Sequence, residues 1–235
     1  MAIPALPAIG KDMDSSIEAF SEYLIRHWSQ DPKLKKFPPP QIITNIKSDS
    51  KVIGGCIGIN DGQLSNDVGG TSYCSSTNTI FVVPDQIEPL HRFFGRAAVN
   101  YVLAHEYGHY LQNLFQISGE PVVMELQADC LAGAIIGQGY EELKVTQQDI
   151  VNMALTAYSI GDKSHGAGPQ RAYAVYTGLG QSDELTCKKE DIAKLSLGQI
   201  QDPVFKKVTQ QRSAGEVQFN GKGPNLRTIS GSMGI

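Results

Sequence analysis

This sequence has few charged residues of either sign and no long apolar run. Charged residues make up 19% of its 235 residues, and the formal net charge is −4. A nucleic-acid-binding domain usually carries clustered Lys and Arg, so we expect no nucleic-acid partner. No run of about 18 apolar residues occurs, so we also expect no membrane span in this chain. A hydrophobic fraction of 41% is typical of a globular domain.

Cysteine is scarce, and no two cysteines form a Cys-x-x-Cys pair, so a thiolate zinc site is not expected. An even number of cysteines allows two disulfides, and four cysteines allow three connectivities. Cys56 and Cys74 enclose a segment rich in Gly, Asn and Ser, which favours them as a local pair. The other cysteines are Cys130 and Cys187, and four free thiols in a cytosolic protein are the alternative.

Disulfides would place the protein outside the cytoplasm, in the periplasm or secreted. The N-terminal sequence MAIPALPAIGKDMD has neither the basic start nor the apolar core of a signal peptide. A leader could have been removed from the sequence, and without one a cytoplasmic location stays open.

Apolar spacing predicts a mainly helical chain with a few short strands. Ser15 and Ser16 are candidate caps for the first helix. The predicted helices cover residues 14–30, 89–115, 119–136, 146–160 and 170–179. β-branched alternation predicts strands at 41–46, 51–59 and 79–83. The polar composition of residues 212–235 predicts an extended tail.

The strongest chemical pattern is His105-Glu106-Tyr107-Gly108-His109, inside an otherwise apolar predicted helix. Residues four apart share a helix face, so both imidazoles can reach one zinc ion at about 2.0–2.1 Å. Glu106 follows the first histidine and can accept a proton from a zinc-bound water. Gly108 leaves space in which a substrate or a neighbouring element can approach.

A third ligand follows downstream in Glu125-Leu126-Gln127-Ala128-Asp129. Glu125 and Asp129 are again four apart on a predicted helix. We expect Glu125 to bind the metal and Asp129 to accept a hydrogen bond from a ligand histidine, which fixes the ring and raises its basicity. Taken alone, these two residues could equally be a solvated acidic face.

Other ligand arrangements fit less well. The metzincin pattern requires Gly and His where this chain has Gln112 and Phe115. His91 precedes His105 by fourteen residues, about 20 Å along a continuous helix, so it cannot join the site if that helix is unbroken.

His165 lies in the glycine-flanked segment Gly161–Gly166 and is the remaining candidate catalytic residue. A histidine on such a loop could donate a hydrogen bond to the oxyanion, with Asp162 orienting its ring. An ordinary surface histidine explains it equally well. Tyr158 and Arg171 are weaker candidates for the same role.

The segments AHEYGHYLQN, ELQADCLAG and HGAGPQR together resemble a bacterial family of neutral zinc metallopeptidases, over roughly Gly54–Cys187. The resemblance implies zinc ligands at His105, His109 and Glu125, with Glu106 catalytic. It also implies the disulfides Cys56–Cys74 and Cys130–Cys187. Members of that family commonly carry an N-terminal membrane or secretion segment, which this chain lacks.

The sequence therefore predicts an α+β, zincin-like metallopeptidase domain, mainly helical, with a small β-sheet beside the HExxH helix. Residues 1–40 would form an N-terminal helical extension, 41–190 the zinc domain and 191–235 a polar C-terminal extension. The predicted activity is zinc-dependent endopeptidase cleavage of a peptide or protein substrate, with one Zn²⁺ per chain. The alternative is a catalytically silent binding or assembly module that keeps zinc only for stability.

Overall fold

The computed structural model describes residues 9–50, 58–60, 63–65, 70–182 and 184–210. The chain divides into two compact units between Leu103 and Ala104. Within the described residues it is mainly helical, with short strands, as the sequence predicts. The helices are α1 (Ile9–Gln30), α2 (Pro84–Phe94), α3 (Arg96–Leu114), α4 (Pro121–Gln138), α5 (Gln147–Ser159), α6 (Gly168–Gly178), α7 (Lys189–Ser196) and α8 (Pro203–Thr209). The strands are β1 (Gln41–Ile43), β2 (Gly58–Asn60), β3 (Gln63–Ser65), β4 (Ser72–Cys74) and β5 (Thr79–Phe81).

The first unit contains all of the described strands. β5 is the central strand of a three-stranded mixed sheet, parallel to β1 and antiparallel to β4. β2 and β3 form a separate antiparallel pair. Side chains of Cys74, Phe81 and Val83 form a buried cluster on the sheet. That the sheet lies beside the HExxH helix stays a prediction, as does the division at residues 40 and 190.

The helix predicted over 89–115 is two helices, and the prediction of one was wrong. Gly95 ends α2 with φ of 63°, a positive backbone angle that residues with a Cβ rarely adopt. The apolar spacing continues through this glycine, so periodicity alone does not reveal the break. His91 is buried in α2, with its Nε2 3.5 Å from Asp12 of α1, so it belongs to the first unit. The prediction that Ser15 and Ser16 cap α1 was also wrong, because α1 already begins at Ile9.

In the second unit, α4 is packed against α6 and against the C-terminal half of α3 at positions without side chains. A Cβ on Gly108 of α3 would lie 2.9 Å from the Ala128 carbonyl oxygen of α4. A Cβ on Gly178 of α6 would lie 1.9 Å from the carbonyl oxygen of Cys130, and one on Gly133 of α4 would lie 2.4 Å from that of Val175. The helices therefore meet backbone to backbone, and Gly108 makes room for a neighbouring element.

A disulfide joins Cys130 of α4 to Cys187, just before α7, and confirms the pairing that the resemblance implied. Its Cα atoms are 5.4 Å apart across 57 residues of sequence. Cys74 lies in β4, while Cys56, predicted as its partner, lies outside the described residues. The predicted tail 212–235 also lies outside them. Among the described helices, none is long and apolar enough to cross a bilayer.

Thr146 is expected to contribute about 1 kcal/mol to stability through the start of α5. Its hydroxyl accepts from the Asp149 N–H while the Asp149 carboxylate accepts from the Thr146 N–H, which is a capping box. Replacing a capping Thr with Ala typically costs about 0.5–2 kcal/mol. We expect Thr146→Ala to lower the free energy of unfolding in urea by that amount. Thr209→Ala, at the end of α8, is the control, and an equal loss in both variants would contradict the capping role.

Candidate metal centre

The second unit brings the three predicted ligands together. His105 and His109 project from α3, and Glu125 projects from the first half of α4. Their donor atoms all lie within 4.8 Å of one another. Within the described part of the chain, no fourth His, Cys, Asp or Glu belongs to this group.

The distances between donor atoms allow the three residues to share one metal ion. The two Nε2 atoms of His105 and His109 are 3.2 Å apart. Glu125 lies 3.2 Å from His105 Nε2 through Oε2 and 3.5 Å from His109 Nε2 through Oε1. With ligand distances of about 2.0–2.1 Å, adjacent donors of a tetrahedron are about 3.3 Å apart. The 3.2 Å between the two imidazole nitrogens is close to this spacing. Glu125 approaches the two rings with different oxygens, and one atom from each residue lies close enough for the group to hold one metal ion.

Both ligand histidines are held through their other ring nitrogen. Asp129, predicted to accept from one of the histidines, has its Oδ1 2.8 Å from His105 Nδ1. Gln112 Oε1 lies 2.8 Å from His109 Nδ1. A ring whose Nδ1 donates a hydrogen bond keeps the lone pair on Nε2, which is the atom that faces the shared point.

Asp129 is completely buried, and the positively charged Arg171 of α6 offsets its negative charge. Arg171 donates from Nε to Asp129 Oδ2 at 2.8 Å and from Nη2 to Oδ1 at 2.9 Å. Burial raises the pKa of Asp129, but Arg171 and His105 outweigh it and bring the pKa to about 2. Arg171 was a weak candidate for an oxyanion donor, and in the structure its guanidinium instead binds the carboxylate of Asp129.

The charges around the ligands favour a cation at their centre. Burial lowers the pKa of His105, but the Asp129 carboxylate, with Glu125 and Glu106, raises it to about 10. Burial raises the pKa of Glu125, but hydrogen bonds from the two histidines hold it well below the usual range. Without a metal ion the protonated His105 supplies positive charge among these carboxylates, and a bound metal ion would take its place.

Glu106 is buried beside the ligands, at 8% exposure, and is not one of the three grouped donors. It directly follows His105 on α3, and its carboxylate interacts electrostatically with that ring.

His165 lies on the loop between α5 and α6, and its side chain is exposed. Its Nδ1 lies 2.8 Å from Asp162 Oδ2, so the predicted orienting contact is present. The next residue, Gly166, has φ of 102°, and a Cβ there would lie 2.8 Å from Leu126 of α4. The loop therefore packs against the residue that follows ligand Glu125.

Sequence reasoning missed two buried glutamines near the ligands. Gln112 follows His109 by three residues and faces it on α3, and Gln127 lies between Glu125 and Asp129 on α4. A glutamine inside an apolar helical stretch is itself a signal, because a buried amide needs hydrogen-bond partners.

Comparison with known proteins shows distant relatives without an assigned activity. No family model matches the chain, and no solved structure matches it. It is 28% identical to uncharacterized proteins of two Mycobacterium tuberculosis strains and of Mycobacterium bovis, over 62% of this chain and 63% of each relative. The chain thus spans less than two thirds of those relatives' length. The resemblance to neutral zinc metallopeptidases stays a prediction.

Proposed function

We propose that this chain is a zinc-dependent endopeptidase that binds one zinc ion through His105, His109 and Glu125. The observation that carries the proposal is the convergence of two imidazole Nε2 atoms and one carboxylate at distances that let one metal ion contact all three. Three protein ligands are the number found in catalytic zinc sites, whereas structural sites use four. The donor set of two histidines and a glutamate is that of thermolysin-type hydrolases.

The bound metal would act as a Lewis acid that polarises the substrate carbonyl and lowers the pKa of water toward about 7. The Glu106 carboxylate accepts a proton from the attacking water as the oxygen–carbon bond forms. It then delivers that proton to the amide nitrogen, which leaves as the amine when the carbon–nitrogen bond breaks. A site that holds zinc only for stability has no use for a buried carboxylate at this position.

His165 is the proposed donor to the oxyanion. Asp162 accepts from its Nδ1, so Nε2 can donate to a substrate oxygen only when the ring is protonated at both nitrogens. Burial raises the pKa of Asp162, but hydrogen bonds from His165 and Ser164 together hold it well below the usual range, so the orienting carboxylate stays charged. The packing of Gly166 on Leu126 brings the loop to the helix that carries Glu125. We place the protein in an oxidising compartment, because it contains the Cys130–Cys187 disulfide.

The proposal is tested by peptide cleavage that depends on the metal. A mixed peptide library is incubated with the full chain loaded with one zinc, with the chelated chain, and with the chelated chain after zinc is restored. We expect cleavage in the first and third samples only, with internal bonds cut. A loaded protein that binds one zinc and cuts nothing would contradict the peptidase and support the zinc-stabilised binding module.

A further inference from the structure

Two buried glutamine amides connect the ligand His109 to main-chain carbonyls. Gln112 Oε1 lies 2.8 Å from His109 Nδ1, and Gln112 Nε2 lies 2.7 Å from the Met124 carbonyl oxygen. The same Nε2 lies 3.1 Å from Gln127 Oε1, and Gln127 Nε2 lies 2.9 Å from the carbonyl oxygen of Cys187. Both glutamines are at most 4% exposed, so water does not compete for these bonds.

These hydrogen bonds form a relay that runs from His109 through Gln112 and Gln127 to the carbonyls of Met124 and Cys187. The direction of each bond follows from the groups at the two ends. A main-chain carbonyl can only accept, so the atoms facing Met124 and Cys187 must be the NH₂ groups of the two amides. The oxygen of Gln127 then faces the NH₂ of Gln112, and the oxygen of Gln112 faces His109. That oxygen also only accepts, so His109 must carry its proton on Nδ1. The lone pair of His109 is thereby left on Nε2, the atom that faces the other ligands.

We infer that Gln112 and Gln127 are positioning residues that fix the metal-binding tautomer and ring orientation of His109. The inference rests on the proposed zinc site, but it concerns residues to which no role has been given. The relay ends at the main chain of a disulfide-bonded cysteine, which anchors it to α4 through Cys130. His105 is held by a charged partner, Asp129, whereas His109 is held by neutral amides whose orientation decides which ring nitrogen binds metal.

Zinc affinity of the purified full chain tests the relay. Gln112→Met and Gln127→Met keep the approximate length of each side chain and remove its hydrogen bonds. Changes behind a metal ligand typically cost about 10–100-fold in metal affinity. We expect Gln112→Met to raise the zinc Kd by that factor, measured by competition with a chromogenic chelator. Gln127→Met should raise it less, because Gln112 still donates to Met124.

Gln170→Met is the matched control. Gln170 also donates to two main-chain carbonyls, of Leu195 and Ser196, and accepts from the Ala167 N–H, but it contacts no grouped ligand. It should lower thermal stability as the relay variants do and leave the zinc Kd unchanged. An unchanged Kd in Gln112→Met, or an equal rise in Gln170→Met, would overturn the inference.

A second measurement needs neither zinc nor substrate. In the zinc-free chain with ¹⁵N-labelled histidine, His109 (assigned by its loss in His109→Gln) should be protonated at Nδ1. Gln112→Met should give a mixture of tautomers, and a wild-type tautomer in that variant would also overturn the inference. If the zinc Kd and the His109 tautomer change as expected but the wild type cuts no peptide, the relay is supported and the proposed peptidase activity is contradicted.

Discussion

Glu106→Gln is expected to lower kcat for peptide hydrolysis by about 10²–10⁴-fold, the range for loss of a general base. The substitution keeps the shape of the side chain and removes its ability to take a proton. Because Glu106 is not among the grouped donors, zinc should still bind with one ion per chain. The measurement is single-substrate kinetics on a peptide selected from the library, with zinc content determined on the same sample.

His165→Gln provides the comparison in the same assay. Loss of one oxyanion donor typically costs about 10²–10³-fold in kcat, with little change in KM. The exposed position of His165 means that its replacement should leave zinc content and thermal stability unchanged. Turnover in Glu106→Gln equal to wild type would rule out Glu106 as the base. Wild-type turnover in His165→Gln would show that His165 is not the oxyanion donor but an ordinary surface histidine.

Arg171→Met is expected to destabilise the zinc-free protein by about 3–5 kcal/mol, the usual cost of leaving a buried charge without its partner. Asp129 is fully buried and receives two hydrogen bonds from Arg171. Removing the arginine leaves that carboxylate with His105 as its main charged partner. The measurement is urea unfolding followed through the transition of the second unit.

Lys194→Met is the control, because it breaks the exposed Lys194–Asp191 pair in the same unit. An exposed pair is worth about 0–1 kcal/mol, so this variant should stay close to wild type. Adding Asp129→Asn to Arg171→Met should recover part of the loss, since it removes the unpaired charge. If Arg171→Met has the same free energy of unfolding as Lys194→Met, the buried pair contributes no net stability.

The ligand group could be predicted because its spacing is local. His105 and His109 are one helical turn apart, and so are Glu125 and Asp129, so each pair shares a face wherever the helices lie. Local spacing predicted that Asp129 faces one of the histidines, but not that its partner is His105, which lies 24 residues away on another helix. The pairing of Asp129 with Arg171 spans 42 residues, and no local pattern encodes it.

The remaining differences also have physical causes. The break at Gly95 depends on a backbone angle, and an isolated glycine inside a helical pattern does not specify one. The short helices α7 and α8 went unpredicted because eight and seven residues span too few turns for periodicity to give a clear signal. The glutamine relay needs partners 15 and 60 residues apart in sequence, which only the folded chain reveals.

The backbone contacts of α4 bear on how this protein can evolve. Side-chain packing can be retuned by exchanging one aliphatic residue for another, because neighbours adopt new rotamers. Where Gly108 meets Ala128, and where Gly178 meets Cys130, no side chain lies between the helices to be retuned. Substitutions among the apolar core side chains should therefore leave the axis of α4 in place. The spacing between Glu125 and the two histidines then depends on main-chain contacts rather than on those side chains.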